Sequence, residues 1–276
     1  MEVKVANLRS DSFDRDLINS IKETGFVVVT HHGIDVSLIR EAQRGWREFF
    51  LEDTLLKNLF TNQKDPNMGY KGIRTEKAVG AKVADLKEYF HWRPGQLMPT
   101  PVWENTLRLF HQLEDVGGQI LNIVDKENSK DGEYTNYADD CYQSDNTIIR
   151  SLYYPAMDFG AEKDAVRAAA HEDINYITLL VAASAPGLQV MDLAGKWIDV
   201  PHEENSIVVN IGDMMQLASK GKYKSTTHRV VNPPNNTQDR VSMPLFMHPH
   251  PHTILAPGKT AQEYLMERIA QIHGSK

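Results

Sequence analysis

The chain divides in two by the spacing of its apolar residues. In the first half the spacing is helical. Phe13, Leu17, Ile18 and Ile21 recur three or four apart and predict a helix over 11–24. Gly25 ends it, and Phe26-Val27-Val28-Val29-Thr30 follows as a short buried strand. A second helix is predicted over 36–51, closing in Trp46, Phe49, Phe50 and Leu51. Residues 61–101 are rich in Gly, Pro, Lys and Asn and read as a long loop region, with a strand near Glu88-Tyr89-Phe90-His91-Trp92. The longest helical pattern covers 103–126, with Leu107, Phe110, Leu113, Val116, Ile120 and Val124 on one side.

From Thr147 onward the pattern changes to short β-rich runs at 147–154, 174–182, 188–191, 197–200, 207–211, 228–231 and 241–247. Turn signals such as Pro186-Gly187 and Asn232-Pro233-Pro234-Asn235 punctuate them, as in a sandwich or barrel. A helical stretch over 260–272 closes the chain. With no clean linker, the plan is one domain, α+β with a mostly β core. A mainly helical portion (1–146) packs on a jelly roll (147–249), followed by a C-terminal helix within 250–276.

Composition narrows the class. The 276 residues can bury a sizeable core, and 41% hydrophobic with 24% charged residues is ordinary for a globular protein. A net charge of -7 weighs against a general nucleic-acid or anionic-membrane binder. Cys141 is the sole cysteine, so no intramolecular disulfide forms, which fits a reducing cytoplasm. Met1 to Asn7 lack the apolar stretch of a signal peptide, and no run reaches the length of a membrane span. A cytoplasmic protein without nucleic-acid or membrane partners is therefore expected.

His171-Glu172-Asp173 stands at the mouth of an apolar strand, and His228 lies far downstream in Ser225-Thr226-Thr227-His228-Arg229-Val230-Val231. Strand alternation would point His171 and Asp173 one way and Glu172 the other. Two imidazoles and one carboxylate make the facial triad of non-haem Fe(II) oxygenases, with coordination positions left open. An isolated His-x-Asp is common by chance, but a second pair supports it. Arg240 and Ser242, also two apart on a strand, form a good carboxylate receptor, because the guanidinium fork can donate to both oxygens.

These segments resemble the iron/2-oxoglutarate-dependent dioxygenases, in their isopenicillin N synthase-like branch. The resemblance is carried by His171-Glu172-Asp173-Ile174-Asn175, Gly187-Leu188-Gln189-Val190, Val208-Val209-Asn210-Ile211-Gly212-Asp213, Tyr223 to Val230 and Arg240-Val241-Ser242-Met243-Pro244. It extends to Gly25-Phe26-Val27-Val28-Val29, His32-Gly33-Ile34, Gly69-Tyr70 and Asp85-Leu86-Lys87-Glu88, nearly the whole chain. It implies a double-stranded β-helix with Fe(II) on His171, Asp173 and His228. It further implies 2-oxoglutarate held at its far carboxylate by Arg240 and Ser242, with Tyr154 in contact. Many relatives carry Asn where this chain has Leu152. The implied reaction uses O2 and 2-oxoglutarate to hydroxylate, desaturate or cyclise a small molecule, for example in natural product biosynthesis, releasing succinate and CO2. An iron oxidase of the same fold that does not use 2-oxoglutarate, and a non-catalytic binding barrel, remain open at this point. Substrate identity and oligomeric state are not written in the sequence.

Other residues have plainer readings. Asp213 reads as structural at a helix start, and Asn175 as a neighbour of the metal set or a core amide. His248, His250 and His252 read as packing or surface histidines, His31-His32 as a turn, Glu203-Glu204 as a solvated loop, and Cys141 as a structural or exposed thiol. Phe246, Tyr70, Phe90 and Trp92 are candidates for pocket or core. Lys71, Arg74, Lys77, Lys82 and Lys87 make the 71–87 stretch basic, either a solvated loop or a lid that attracts an acidic substrate.

Overall fold

The computed structural model describes residues 2–75, 86–156, 168–181, 187–192, 194–203, 205–231 and 239–272. The helical half opens with β1 (Val5–Asn7), α1 (Phe13–Thr24) and β2 (Phe26–Thr30). Next come α2 (Val36–Leu51), α3 (Thr54–Asn58), β3 (Gly69–Lys71) and β4 (Glu88–Trp92). The long α4 (Thr100–Lys130) and the short α5 (Tyr137–Cys141) complete it. The β-rich half begins with β5 (Ile148–Tyr154), β6 (Ala168–His171), β7 (Ile177–Val181) and β8 (Leu188–Met191). It continues with β9 (Trp197–Asp199), β10 (Ile207–Ile211), α6 (Asp213–Ala218), β11 (His228–Val230), β12 (Arg240–Ser242) and β13 (Pro244–Met247). A small hairpin, β14 (Ile254–Ala256) and β15 (Lys259–Thr260), leads into α7 (Ala261–Ile272).

The large sheet runs β1-β2-β10-β7-β13-β5-β4-β3, with β12 also paired to β5, and the smaller sheet runs β6-β11-β8-β9. Period-two alternation sorts the large sheet's side chains. Val27, Val29, Ile177, Leu179, Ile207, Val209, Leu245 and Tyr153 join a core with Leu17, Trp46, Leu109 and Leu113 of the helices. Phe26, Val28 and Val208 face the other way and pack with Val190 of the small sheet, with Leu180, Leu188 and Ile198 against them. The jelly-roll interior thus lies between the sheets, and the helices seal the outer face of the larger one. Gly117 permits that seal, because a Cβ there would lie 2.1 Å from Met247 Sδ.

Most expected elements form close to their predicted bounds. Within the 61–101 stretch, Gly69–Lys71 form a strand that the sequence did not predict: β3 pairs with β4 and adds an edge to the large sheet. Tyr70, Phe90 and Trp92 belong to the helix-side core, so the core reading holds over the pocket reading. Cys141 is fully buried, with its thiol pushed well up by loss of hydration, as in an inert structural cysteine. Lys77 and Lys82 of the basic stretch lie outside the described residues.

Candidate metal and keto-acid site

His171 is the last residue of β6, and His228 the first of β11. The two stand directly opposite in the antiparallel pairing, so the small sheet's register brings the imidazoles together. Asp173 lies beyond the end of β6, in the turn before β7. The expectation that strand alternation aligns His171 with Asp173 is therefore corrected: the strand stops at His171, and loop geometry places the carboxylate. Asp173 Oδ1 lies 3.7 Å from His171 Nε2 and 3.9 Å from His228 Nε2. One donor atom from each residue falls within 4.8 Å of the others.

The donor chemistry fits a divalent metal. His171 Nδ1 contacts the Ala169 carbonyl at 2.8 Å, and His228 Nδ1 the Thr226 carbonyl at 3.1 Å. A carbonyl can only accept, so in a neutral ring Nδ1 donates and the Nε2 lone pair faces Asp173. The other carboxylate oxygen is already engaged: Asp173 Oδ2 accepts from Thr178 Oγ1 at 2.6 Å and Asn210 Nδ2 at 2.8 Å. Oδ1 is left facing the imidazoles. Asn175 stands one step back, donating to Thr178 Oγ1 at 2.9 Å. Asp213 N–H donates to the Asp173 carbonyl at 2.7 Å, consistent with a structural Asp213.

Electrostatics favour the ligating protonation states. The outer edge of His171 is exposed, but its inner side is stripped of water and faces His228; these two effects lower its pKa to about 4. Burial opposes the charge on Asp173, yet the imidazoles and the Asn210 and Thr178 hydrogen bonds outweigh it and hold the carboxyl below its ordinary value.

A second cluster lies on the same inner face. Arg240 pairs with Tyr154, and Ser242 with Leu152, across β12 and β5. Arg240, Ser242 and Tyr154 are all buried, and the Arg240 guanidinium carbon lies 5.5 Å from the Tyr154 ring centroid. Leu152 packs with Tyr89 and Tyr154, supplying an apolar wall to this cluster.

Thr178 and Asn210 were not singled out from sequence. Their signal was present, since each is a polar residue inside an otherwise apolar strand, in Ile177-Thr178-Leu179-Leu180 and Val208-Val209-Asn210-Ile211. Phe246 shares their cross-strand row, opposite Thr178, and is half-buried on the inner face. His248 is buried, His250 is held by the Tyr142 carbonyl, and His32 is buried against the Asn205 carbonyl, all as packing groups.

Comparison with known proteins agrees with this geometry. Residues 141–249 match the 2OG-Fe(II) oxygenase superfamily, and residues 4–108 match the N-terminal region of the non-haem dioxygenases in morphine synthesis. Flavonol synthase 1 of Crocosmia x crocosmiiflora is 30% identical over 83% of this chain and 70% of its own length. The chain belongs to the 2OG-Fe(II) oxygenase superfamily. A Shewanella oneidensis protein provisionally described as an oxygenase resembles it in structure over 100% of both chains, at 35% identity and a TM-score of 0.87. JOX2, solved in complex with 2OG, Fe and JA, is 25% identical and aligns over 91% of this chain and 76% of its own, with a TM-score of 0.75. This oxygenase is an Fe(II)/2-oxoglutarate-dependent dioxygenase of mixed α+β fold with a jelly-roll core. Among its described residues no helix is long and apolar enough to cross a membrane.

Proposed function

We propose that the protein hydroxylates a small-molecule substrate, with His171, Asp173 and His228 holding Fe(II), and with Arg240, Ser242 and Tyr154 receiving the far carboxylate of 2-oxoglutarate. The observation that carries this reading is the orientation of the triad: both imidazoles are tied at Nδ1 to backbone carbonyls, and Asp173 Oδ2 is tied to Thr178 and Asn210. Three ligating atoms are thereby turned to one point before any ion arrives, which lowers the cost of binding it. When bound, iron and keto acid supply the activation of O2 that couples decarboxylation to succinate and CO2 with transfer of one oxygen atom to the substrate.

The chain's own share is binding and orientation. Arg240 offers a planar fork to a carboxylate, Ser242 adds a hydroxyl donor from the same strand face, and Tyr154 closes the site beside the guanidinium. Leu152 and Tyr89 pack with Tyr154 and give that anchor an apolar flank. No side chain needs to act as a nucleophile. A role in natural product biosynthesis fits the plant relatives' small-molecule chemistry.

The test is anaerobic titration of the metal-free protein with Fe(II), then 2-oxoglutarate. A weak visible charge-transfer band that needs both components is expected, and it should be lost in His171→Ala and Asp173→Ala. Iron binding without a band would mean that the keto acid does not chelate the metal. Retained turnover in both variants would remove the triad from the mechanism.

A further inference from the structure

The turn that carries Asp173 hangs on the start of α6. Residues 172–176 join β6 to β7, and consecutive N–H groups take three of the turn's carbonyls. Gly212 donates to Tyr176 at 3.0 Å, Asp213 to Asp173 at 2.7 Å and Met214 to Ile174 at 3.3 Å. The two segments are in close contact. A Cβ on Gly212 would lie 2.3 Å from both the carbonyl oxygen and Oδ1 of Asn175. Packing this tight passes a shift at 212–214 on to the turn. Thr178 and Asn210 brace the carboxylate of Asp173, whereas residues 212–214 hold the backbone beneath it.

Residues 212–214 are themselves tied from the other end of the chain. The Asp213 side chain is buried, and its Oδ2 lies 2.8 Å from Arg268 Nη2 on α7. A carboxylate taken out of water needs a charged partner, and Arg268 supplies one. α7 has its own supports. The N–H groups of Ala261 and Gln262 donate to the carbonyls of Thr253 and Pro251 at 2.8 and 3.0 Å, while Tyr264 and Leu265 pack on the core.

We infer that Arg268 is a positioning residue for the metal set: through the Asp213 carboxylate it fixes the N–H groups of 212–214, and with them the turn that presents Asp173. This inference rests on the metal reading of His171, Asp173 and His228, and it extends the site to the C-terminal helix.

The experiment titrates the metal-free protein with Co(II), followed by the visible bands of the bound ion and by calorimetry, with the thermal midpoint recorded for each variant. Arg268→Ala should weaken Co(II) binding by folded protein about tenfold, the lower end of what supports around metal ligands govern. It should also alter the bands, and Arg268→Lys should restore most of both. In an Asp213→Asn background, Arg268→Ala should cost little further affinity, because the two residues act as one link. Lys259→Ala is the control: it removes a different ion pair of α7, to Glu267 at 2.5 Å, and should leave affinity and bands unchanged. A lower midpoint in Arg268→Ala with wild-type affinity and bands would make Arg268 a stabilising residue only and overturn the inference. Additive losses from Arg268→Ala and Asp213→Asn also overturn it. Were Arg268→Ala not to fold, Asp213→Asn alone decides, since it keeps the N–H and removes the ion pair: weakened binding supports the link, and unchanged binding overturns it. Failure of the metal reading looks different, because the wild type itself would then bind no Co(II).

Discussion

His171 and His228 face each other across two antiparallel strands, their ring centroids 4.4 Å apart and their planes inclined at 52°. Strand pairing therefore does what chain proximity cannot: it sets two imidazoles side by side from distant segments. The third member arrives differently. Asp173 follows His171 closely in sequence but lies off the strand, and its orientation depends on Thr178 of β7 and Asn210 of β10. The small sheet thus supplies both imidazoles, while the large sheet aims the carboxylate.

That division gives the first prediction. Thr178→Val and Asn210→Leu each remove one donor to Asp173 Oδ2 without touching a nitrogen near the metal position. Outer hydrogen bonds of this kind typically govern about 10- to 100-fold in metal affinity. Each variant should weaken Fe(II) or Co(II) binding by that order while keeping the wild-type circular dichroism. Unchanged affinity in both would show that Asp173 needs no such bracing.

A second prediction concerns Arg240. Its value lies in the paired donors of a planar fork as well as in its charge. Arg240→Ala should raise the Kd for 2-oxoglutarate by a factor on the order of 100 or more, since a charge-assisted pair is lost. Arg240→Lys should recover only part of this, because an ammonium cannot reproduce the fork. Calorimetric titration of 2-oxoglutarate into the metal-loaded variants checks it. Equal affinity of Lys and Arg forms would reduce the residue to a point charge.

Much of this was legible beforehand, and the gaps have physical causes. The helix over Val36–Leu51 and the strands Glu88–Trp92, Leu188–Met191 and Ile207–Ile211 match their predicted bounds, because their apolar patterns are long or sharply punctuated. β6 was missed because Ala168-Ala169-Ala170 carries no β-branched signal; it is a strand because β11 pairs with it. β3 was hidden in a Gly- and Lys-rich stretch for the same reason. The triad was visible as residue types, but not its supports: a Thr or an Asn within an apolar strand has no marked partner until the fold brings one. Tyr70, Phe90 and Trp92 show the converse limit. Aromatic identity does not say which face of a strand is the pocket, and here it is the helix side that holds them.

Acid stability yields a third prediction. His248 is 6% exposed, and burial lowers its pKa from the usual 6.5 to about 4, against the Phe246 carbonyl that its Nδ1 contacts at 3.2 Å. Above pH 6.5 the ring is neutral in both the folded and unfolded chains. As pH falls below 6.5 the unfolded chain takes the proton first, so stability is lost progressively until the folded ring also titrates near pH 4. The loss approaches ~3 kcal/mol for a shift of this size. His248→Asn retains a donor for the Phe246 carbonyl but does not titrate. Urea unfolding at pH 7 and pH 4.5 should show a smaller difference for the variant than for the wild type. An equal difference would assign the acid sensitivity to other groups, His171 foremost.

The last prediction links the helical half to the metal set through one glycine. Gly25 closes α1, its N–H donating to the Ile21 carbonyl at 3.0 Å, with φ of 72°. Its own carbonyl accepts from Ile211 N–H at 2.9 Å, on the strand that carries Asn210. A Cβ at this position would lie 2.4 Å from Thr226 Oγ1 and 2.5 Å from the Lys224 carbonyl. Backbone on one side leaves no flexible group to give way, and Thr226 supplies the carbonyl that orients His228. Gly25→Ala therefore meets two penalties: left-handed backbone strain of roughly 1–3 kcal/mol and overpacking of similar size. The protein should lose about 2–5 kcal/mol of stability, read as a lower thermal midpoint. Because the displaced segment carries His228's partner, the folded fraction should also bind Co(II) more weakly. Gly33→Ala is the control, since it has a similar φ of 83° but no atom within 4 Å of its built Cβ. It should show only the strain. If both substitutions weaken metal binding equally, or Gly25→Ala leaves it unchanged in folded protein, the turn and the metal set are independent.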